Sequence, residues 1–137
     1  CWASNGPARL RKETRDVFDG GAALAIGTPG GWFRKRPYVN VFQYVDAPQA
    51  VAGHTLTLRS QVKAFEPDTA RIKIHLEHEG WNAAASPPHP GNGNWEMLEA
   101  VIPVPETFQG GRIKVEGVHY NNPSRPALFD GFTVTAS

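Results

Sequence analysis

The sequence has 137 residues, 40% of them hydrophobic, which suits one domain with a buried core and excludes a disordered chain. Its 14 basic and 13 acidic residues give a formal net charge of +1, and the densest basic run is only Arg34–Arg36, so no nucleic-acid partner is expected. No apolar run is long enough to span a membrane, so no membrane insertion is expected either.

Alternation of apolar and polar residues predicts strands along most of the chain. The clearest case is residues 54–64, where Leu56, Leu58 and Val62 share one face. The charged window 9–18 is ambiguous, because it also fits a turn of helix. In chain order, the strand-like segments are residues 2–10, the region around 16–20, 22–26, 38–45, 54–64, 70–78, 95–104, 111–120 and 127–134.

The turns between these segments are marked by 14 Gly and 12 Pro, and no window has helical periodicity. About eight strands without helices between them predict an all-β fold, an antiparallel sandwich or barrel. No repeat or linker divides the chain, so we expect residues 1–137 to form a single domain. Since the sequence starts at Cys1 without a signal peptide or Met, we expect a piece of a larger protein.

Cys1 is the only cysteine, so an internal disulfide is impossible. Three states remain open for it: a lipidated first residue, a disulfide to another chain, or a free thiol at a boundary.

Four motifs follow one another in a recognisable order: "VNVFQYV" (39–45), "AGHTLTLRSQVKA" (52–64), "GNGNWEMLEAVIPVP" (91–105) and "LFDGFTV" (128–134). In this order they resemble the jelly-roll carbohydrate-binding modules found beside xylanases and β-glucanases, a galactose-binding-like β-sandwich group. The resemblance implies a two-sheet antiparallel β-sandwich of jelly-roll topology. It also implies a noncatalytic domain, extracellular or at the cell surface, with a polysaccharide or glycan as its partner.

The resemblance also implies a structural calcium ion. Asp130, in the last strand, matches the family position that often helps to hold it. The acidic partner near the family's first strand is missing, because this sequence begins "CWASNG". Asp19 and the backbone of Gly20 and Gly21 could supply oxygen ligands instead.

Jelly-roll connectivity assigns segments 22–26, 54–64, 70–78 and 111–120 to one sheet, and segments 2–10, 38–45, 95–104 and 127–134 to the second. The predicted core of the second sheet comprises Leu98, Val101, Phe129 and Phe132. In the resembled modules, a glycan lies on the concave outer face of the first sheet. The candidate ligand-binding residues are Arg59, Gln61, His75, Glu77 and Tyr120 on that face, with Trp32 and Trp81 from Gly-rich loops at its rim.

The reason for this choice is that planar polar side chains bind sugar hydroxyls, while aromatic rings cover the apolar faces of sugar rings. The alternative interpretation is a solvated sheet face with cross-strand ion pairs. We expect Trp81 and His89 to form a lip over the face, within a segment, 78–95, that crosses between the sheets.

Catalysis is not expected. His75 and His78 are three residues apart on one strand and therefore face opposite ways, so they cannot hold one metal. No activated nucleophile or phosphate-binding loop is visible. The alternative function is a structural or interaction sandwich, such as a virion decoration, fibre or accessory domain, with a protein partner or the parent chain.

Overall fold

The computed structural model describes residues 3–4, 9–13, 23–27, 38–120 and 127–137, with side chains for residues 40–119 and 127–137. These residues form ten strands: β1 Ala3–Ser4, β2 Arg9–Glu13, β3 Ala23–Gly27, β4 Tyr38–Ala47, β5 Thr55–Lys63, β6 Ala70–Glu77, β7 Trp81–Ala85, β8 Trp95–Pro103, β9 Gly111–Tyr120 and β10 Ala127–Ala136. Within those ranges the only helical element is a 3-10 turn at Gln49–Val51, and no helix there is long and apolar enough to cross a membrane.

The strands make two five-stranded antiparallel sheets. Sheet A has the order β1-β4-β9-β6-β7, and sheet B has the order β2-β3-β10-β5-β8. The predicted all-β, two-sheet antiparallel sandwich is therefore confirmed. The ambiguous window 9–18 is strand over Arg9–Glu13, and its remainder lies outside the described residues.

The predicted division of strands between the sheets was wrong. β3 and β5 belong to sheet B, whereas β4 belongs to sheet A, where it pairs with β9 from Tyr38↔Tyr120 to Ala47↔Gly111. Alternation identifies a strand and its two faces but carries no information about which strand lies beside it. The partner is selected by tertiary packing, which a single sequence does not reveal.

The inner faces of the two sheets supply the core. In β6, Ile72, Ile74 and Leu76 are fully buried and alternate with half-buried polar residues. In β8, Leu98, Ala100 and Ile102 point inward, so the prediction that Val101 is buried was wrong: it is 44% exposed. Phe129 is buried as predicted, whereas Phe132 follows a register shift in β10 and is only half-buried against the core.

Segment 78–95 does cross between the sheets, because β6 lies in sheet A and β8 in sheet B. It also contains a strand that was not predicted, β7, which forms a hairpin with β6. His89 is fully buried: its Nδ1 accepts the Gly91 N–H at 2.9 Å, so Nε2 carries the proton and donates to the Asn94 carbonyl at 2.8 Å. The expectation that His89 forms a lip was therefore wrong, since it holds the crossing loop together.

The two sheets approach each other closely at Gly117 in β9. A Cβ atom placed there would lie 3.1 Å from ring carbons of Phe129, which reaches across from sheet B. Because Phe129 is itself buried, the absence of a side chain at residue 117 makes room for its ring.

The crossing loop yields a stability prediction. Gly91 has φ +77°, and a Cβ there would overlap the backbone of Glu66 and Pro67. We expect Gly91→Ala to lower the free energy of unfolding by about 3 kcal/mol or more, since backbone atoms cannot move aside cheaply. Urea denaturation of both proteins measures this loss.

Gly80→Ala is the matched control, because Gly80 also has positive φ, +103°, but its Cβ would meet nothing within 4 Å. It should cost only about 1 kcal/mol, the strain of the left-handed backbone alone. Equal losses in the two variants would contradict the steric explanation.

Candidate functional site

The outer face of sheet A is formed by alternate residues that point away from the core, and its described side chains come from β4, β9, β6 and β7. The antiparallel register sets Tyr44, Lys114, His75 and Ala83 in one cross-strand row. The described side chains of this face are Asn40, Phe42, Tyr44 and Asp46 from β4, Arg112, Lys114, Glu116 and Val118 from β9, Arg71, Lys73, His75 and Glu77 from β6, and Trp81, Ala83 and Ala85 from β7.

Along β4 and β9, burial increases from one end of this face to the other. Tyr44 and Trp81 are each 46% exposed at one end, whereas Asn40 and Glu116 at the other end are 3% and 4% exposed. Phe42 and Lys114 are half-buried. The solvent-exposed end of the face, here called the aromatic end, consists of Tyr44, Trp81 and Arg112. The more buried end, here called the recessed end, consists of Asn40, His75, Lys114 and Glu116.

At the aromatic end, three side chains pack into one cluster. The rings of Tyr44 and Trp81 have centroids 6.0 Å apart, and the Arg112 guanidinium lies 4.8 Å from the first ring and 5.6 Å from the second. Arg112 Nε and Nη2 donate to one oxygen of Glu77 at 3.0 and 2.8 Å. This hydrogen bond and the charge of Glu77 raise the pKa of Arg112. Glu77 thus fixes the cation beside the two rings.

At the recessed end, three strands converge on the carboxylate of Glu116. Asn40 Nδ2 from β4 donates to Oε2, and His75 Nε2 from β6 lies 3.1 Å from Oε1. Lys114 Nζ, on the same strand as Glu116, is 3.6 Å from Oε2 and also 4.5 Å above the Phe42 ring. Because an ionised carboxylate only accepts, His75 Nε2 carries the proton.

The environment of Glu116 acts on its pKa in two opposite ways. Burial by itself favours the neutral acid and would raise the pKa. The hydrogen bonds from His75 and Asn40 and the charge of Lys114 outweigh it, so the pKa is lowered. The carboxylate is therefore held ionised inside a largely dehydrated recess.

The predicted site residues divide between two surfaces. His75, Glu77 and Trp81 come together on the outer face of sheet A. Arg59 and Gln61 lie in β5 on sheet B, so their predicted place beside His75 and Glu77 was wrong. Arg59 instead donates a hydrogen bond to Glu99 at 2.7 Å. Gln61 lies opposite Met97 and Asp130 in the two neighbouring strands.

Two other predicted contacts cannot be placed. Tyr120 ends β9 in sheet A, but its side chain lies outside the described part of the chain. Trp32 lies wholly outside the described residues.

Asp130, the candidate calcium ligand, borders a cavity of about 410 Å³, together with Gln43 and Phe132. The described residues contain no group of three His, Cys, Asp or Glu that could hold a metal ion. The suggested second contributor, Asp19, falls outside them. Calcium binding at Asp130 stays a prediction.

Arg112, Lys114 and Glu116 of β9 were not among the candidate residues, and neither were Asn40, Phe42 and Tyr44 of β4. The signal for the β4 residues was present, because they alternate with Val41, Gln43 and Val45 along the strand. Assigning β4 to the wrong sheet removed them from consideration.

The lowered pKa of Glu116 predicts a pH-dependent stability. The wild type should be stabilised relative to Glu116→Gln above about pH 5, where an unfolded Glu is ionised. That advantage should shrink as the pH falls through the lowered folded-state pKa, because the protein must then bind a proton to a hydrogen-bonded carboxylate. Chemical denaturation between about pH 3 and pH 7 checks it. Glu99→Gln, at an exposed ion pair, should show a much smaller difference.

No protein-family model and no curated protein matches this sequence. Solved structures match the fold instead. The CBM22-2 xylan-binding domain of a Paenibacillus barcinonensis xylanase superposes with a TM-score of 0.66 at 14% identity, over 99% of this chain and 91% of that one.

Two longer proteins contain a similar domain. The CBM22-1–GH10 modules of the Clostridium thermocellum endo-1,4-β-D-xylanase 10B, complexed with xylohexaose, match at TM-score 0.68 and 15% identity. The enzymatically active domain of bacteriophage CBA120 tailspike protein 4 matches at TM-score 0.72 and 12% identity. This chain is covered at 99% and 100%, but it spans only 26% and 19% of those chains. The jelly-roll fold of carbohydrate-binding modules, which the sequence motifs resemble, is therefore confirmed as the fold of this chain.

Proposed function

We propose that this protein is a noncatalytic carbohydrate-binding module that holds a polysaccharide along the outer face of sheet A. The observation that carries the proposal is the combination on one face of two exposed, mutually packed aromatic rings with a buried, hydrogen-bonded carboxylate. Each ring of a polysaccharide has apolar C–H faces and hydroxyl groups around its edge, and this side of the sheet offers a partner for both.

The aromatic end supplies the apolar contact. Tyr44 and Trp81 are large, exposed and anchored by Arg112, so little conformational entropy is lost when a ligand covers them. Exposed aromatic residues in a fixed arrangement are the usual anchors of a binding surface. A sugar ring stacked here would lie at the entrance to the recess.

The recessed end supplies directional hydrogen bonds. His75 donates its Nε2–H to Glu116, so the Nδ1 atom of the neutral ring can accept a hydrogen bond from a sugar hydroxyl. Lys114 and Asn40 are donors that Glu116 keeps in place. Since these polar groups are held before any ligand arrives, binding requires little rearrangement.

The solved structures favour glycan binding over the alternative of a structural subunit. The Paenibacillus domain is a xylan-binding domain, and the Clostridium modules were complexed with xylohexaose. At identities of 14% and 15% these likenesses support the fold and leave the sugar open. A role outside the cell, where polysaccharides are met, follows from the same proposal.

Affinity measurements on aromatic variants test this function. Trp81→Ala and Tyr44→Ala should each weaken binding to a soluble xylan or β-glucan by about tenfold or more, because each removes a stacking surface. Affinity electrophoresis against a panel of soluble polysaccharides, followed by calorimetry on any ligand found, measures the loss.

Met97→Ala is the matched control, since Met97 is 56% exposed but lies on sheet B. It should leave the affinity unchanged. If the Met97 variant loses binding while the Trp81 and Tyr44 variants keep it, the site lies on the other sheet. If the wild type binds no polysaccharide of the panel, the proposed function is wrong.

A further inference from the structure

The strand β7 lies at the end of sheet A, and its backbone groups on the outer side form a free edge. The Ser86 N–H, just after β7, donates to the Ile72 carbonyl of β6 at 2.9 Å. Since the direction of bonding alternates along an antiparallel strand, Ala84 directs its backbone groups to β6, whereas Ala83 and Ala85 direct theirs the other way. Within the described ranges, no strand pairs with β7 on that side.

This edge lacks the features by which proteins usually prevent the addition of another strand. Residues 81–85 contain no charged residue and no proline, and their register with β6 has no bulge. The strand β8, at the corresponding end of sheet B, differs because it carries Glu96 and Glu99 and ends at Pro103. The edge of β7 is therefore open to pairing.

A cavity of about 540 Å³ lies beside the same edge, between β7 of sheet A and the end of β8 in sheet B. Among its lining residues, Leu76 and Ile102 are buried, whereas Asn82, Pro103 and Pro105 are exposed. The cavity therefore has apolar side chains at its inner end and can be reached from solvent.

A strand added to β7 would direct a side chain into this cavity. Asn82 faces the inner side of sheet A, because it lies opposite the fully buried Leu76 in the β6–β7 register. A residue paired with Asn82 on its other side would face the same way, toward the cavity that Asn82 lines. Main-chain hydrogen bonds to Ala83 and Ala85 would then provide affinity, and the cavity would select the side chain.

We infer that the free edge of β7 binds an extended peptide segment of a protein partner by strand addition, with one large apolar side chain of the peptide in the cavity. This site is separate from the proposed glycan face, so the inference goes beyond the proposed function. A second copy of this chain is a poorer occupant, because the inward residues of β7, Asn82 and Ala84, are too small to fill about 540 Å³. A polysaccharide has no row of N–H and C=O groups to match those that recur about every 6.8 Å along the edge.

Amide hydrogen exchange followed by NMR tests the site on the whole chain. The probes are three synthetic peptides, Lys-Thr-Thr-Thr-X-Thr-Thr-Thr-Lys, with Phe, Leu or Ala at X. In the free protein, the amides of Ala83 and Ala85 should exchange much faster than that of Ala84, which is bonded to β6. The Leu or Phe peptide should slow their exchange and bind about tenfold more tightly than the Ala peptide, because its side chain is buried in the cavity.

Two variants locate the binding. Ala83→Pro removes an outward N–H of β7 without breaking a bond to β6, so it should weaken binding of the Leu peptide by about fivefold or more. Asn82→Phe introduces a ring where the peptide side chain is expected, so it should remove the preference for Leu or Phe over Ala. Urea denaturation of each variant separates loss of folding from loss of binding.

Val101→Pro is the matched control on the edge of sheet B. The Val104 N–H donates to the His54 carbonyl at 2.8 Å, and the same alternation turns the Val101 N–H away from β5. The control therefore also removes an outward N–H from an edge strand, and it should leave peptide binding unchanged.

The outcomes separate the possible occupants. If none of the peptides binds at about 1 mM, the inference is overturned and the proposed function stands, because the glycan face is a different surface. Protection of the Ala83 and Ala85 amides that rises with protein concentration alone would assign the edge to a second copy. Protection of the same amides by a soluble xylan would assign it to a sugar chain. Equal loss of peptide binding in the Ala83 and Val101 variants would also contradict the inference.

Discussion

The pairing of β9 on both of its sides governs the rest of this structure. It binds β4 over ten residue pairs, from Tyr38↔Tyr120 to Ala47↔Gly111, and binds β6 on the opposite edge. Because side chains alternate along a strand, one row of β9 enters the core while the other becomes the floor of the site. Ile113 and Val115 belong to the first row, and Lys114 and Glu116 belong to the second.

Burying the carboxylate of Glu116 is a free-energy cost of this arrangement. A charged group withdrawn from water is destabilising by several kcal/mol unless its partners replace the lost solvent. The partners here come from three strands: Asn40 from β4, His75 from β6 and Lys114 from β9. A slip of β4 by one residue would turn Asn40 into the core, so the recess also specifies strand register.

Much of the fold was predictable from the sequence, because period-two alternation and turn residues are local. The strands over residues 54–64, 70–78 and 111–120 were predicted to within a residue or two at each end. The short strand β7 was missed, since Trp81–Ala85 has no alternating pattern and looks like a loop. Its hairpin with β6 depends on the turn at Glu79 and Gly80, both of which have positive φ.

The candidate site was predictable only in part. His75, Glu77 and Trp81 were identified from residue chemistry, and they do share a face. Arg59 and Gln61 were joined to them, and Tyr44 was left out, for one and the same reason: the neighbour of each strand was inferred from connectivity. Which strands lie side by side depends on contacts between residues as far apart as Asn40 and Glu116, and such contacts leave no trace in local pattern.

The close approach at Gly117 couples the position of Glu116 on the outer face to the packing of the core. The residue next to Glu116 in the chain has no side chain, and the Phe129 ring of the opposite sheet fills the space beneath it. Only the backbone of β9 therefore separates the Glu116 carboxylate on the outer face from the Phe129 ring in the core. A change of packing around Phe129 in sheet B would therefore act on the segment of sheet A that carries the Glu116 carboxylate. The buried position of Glu116 and the packing of the core around Phe129 therefore depend on the same short segment of β9.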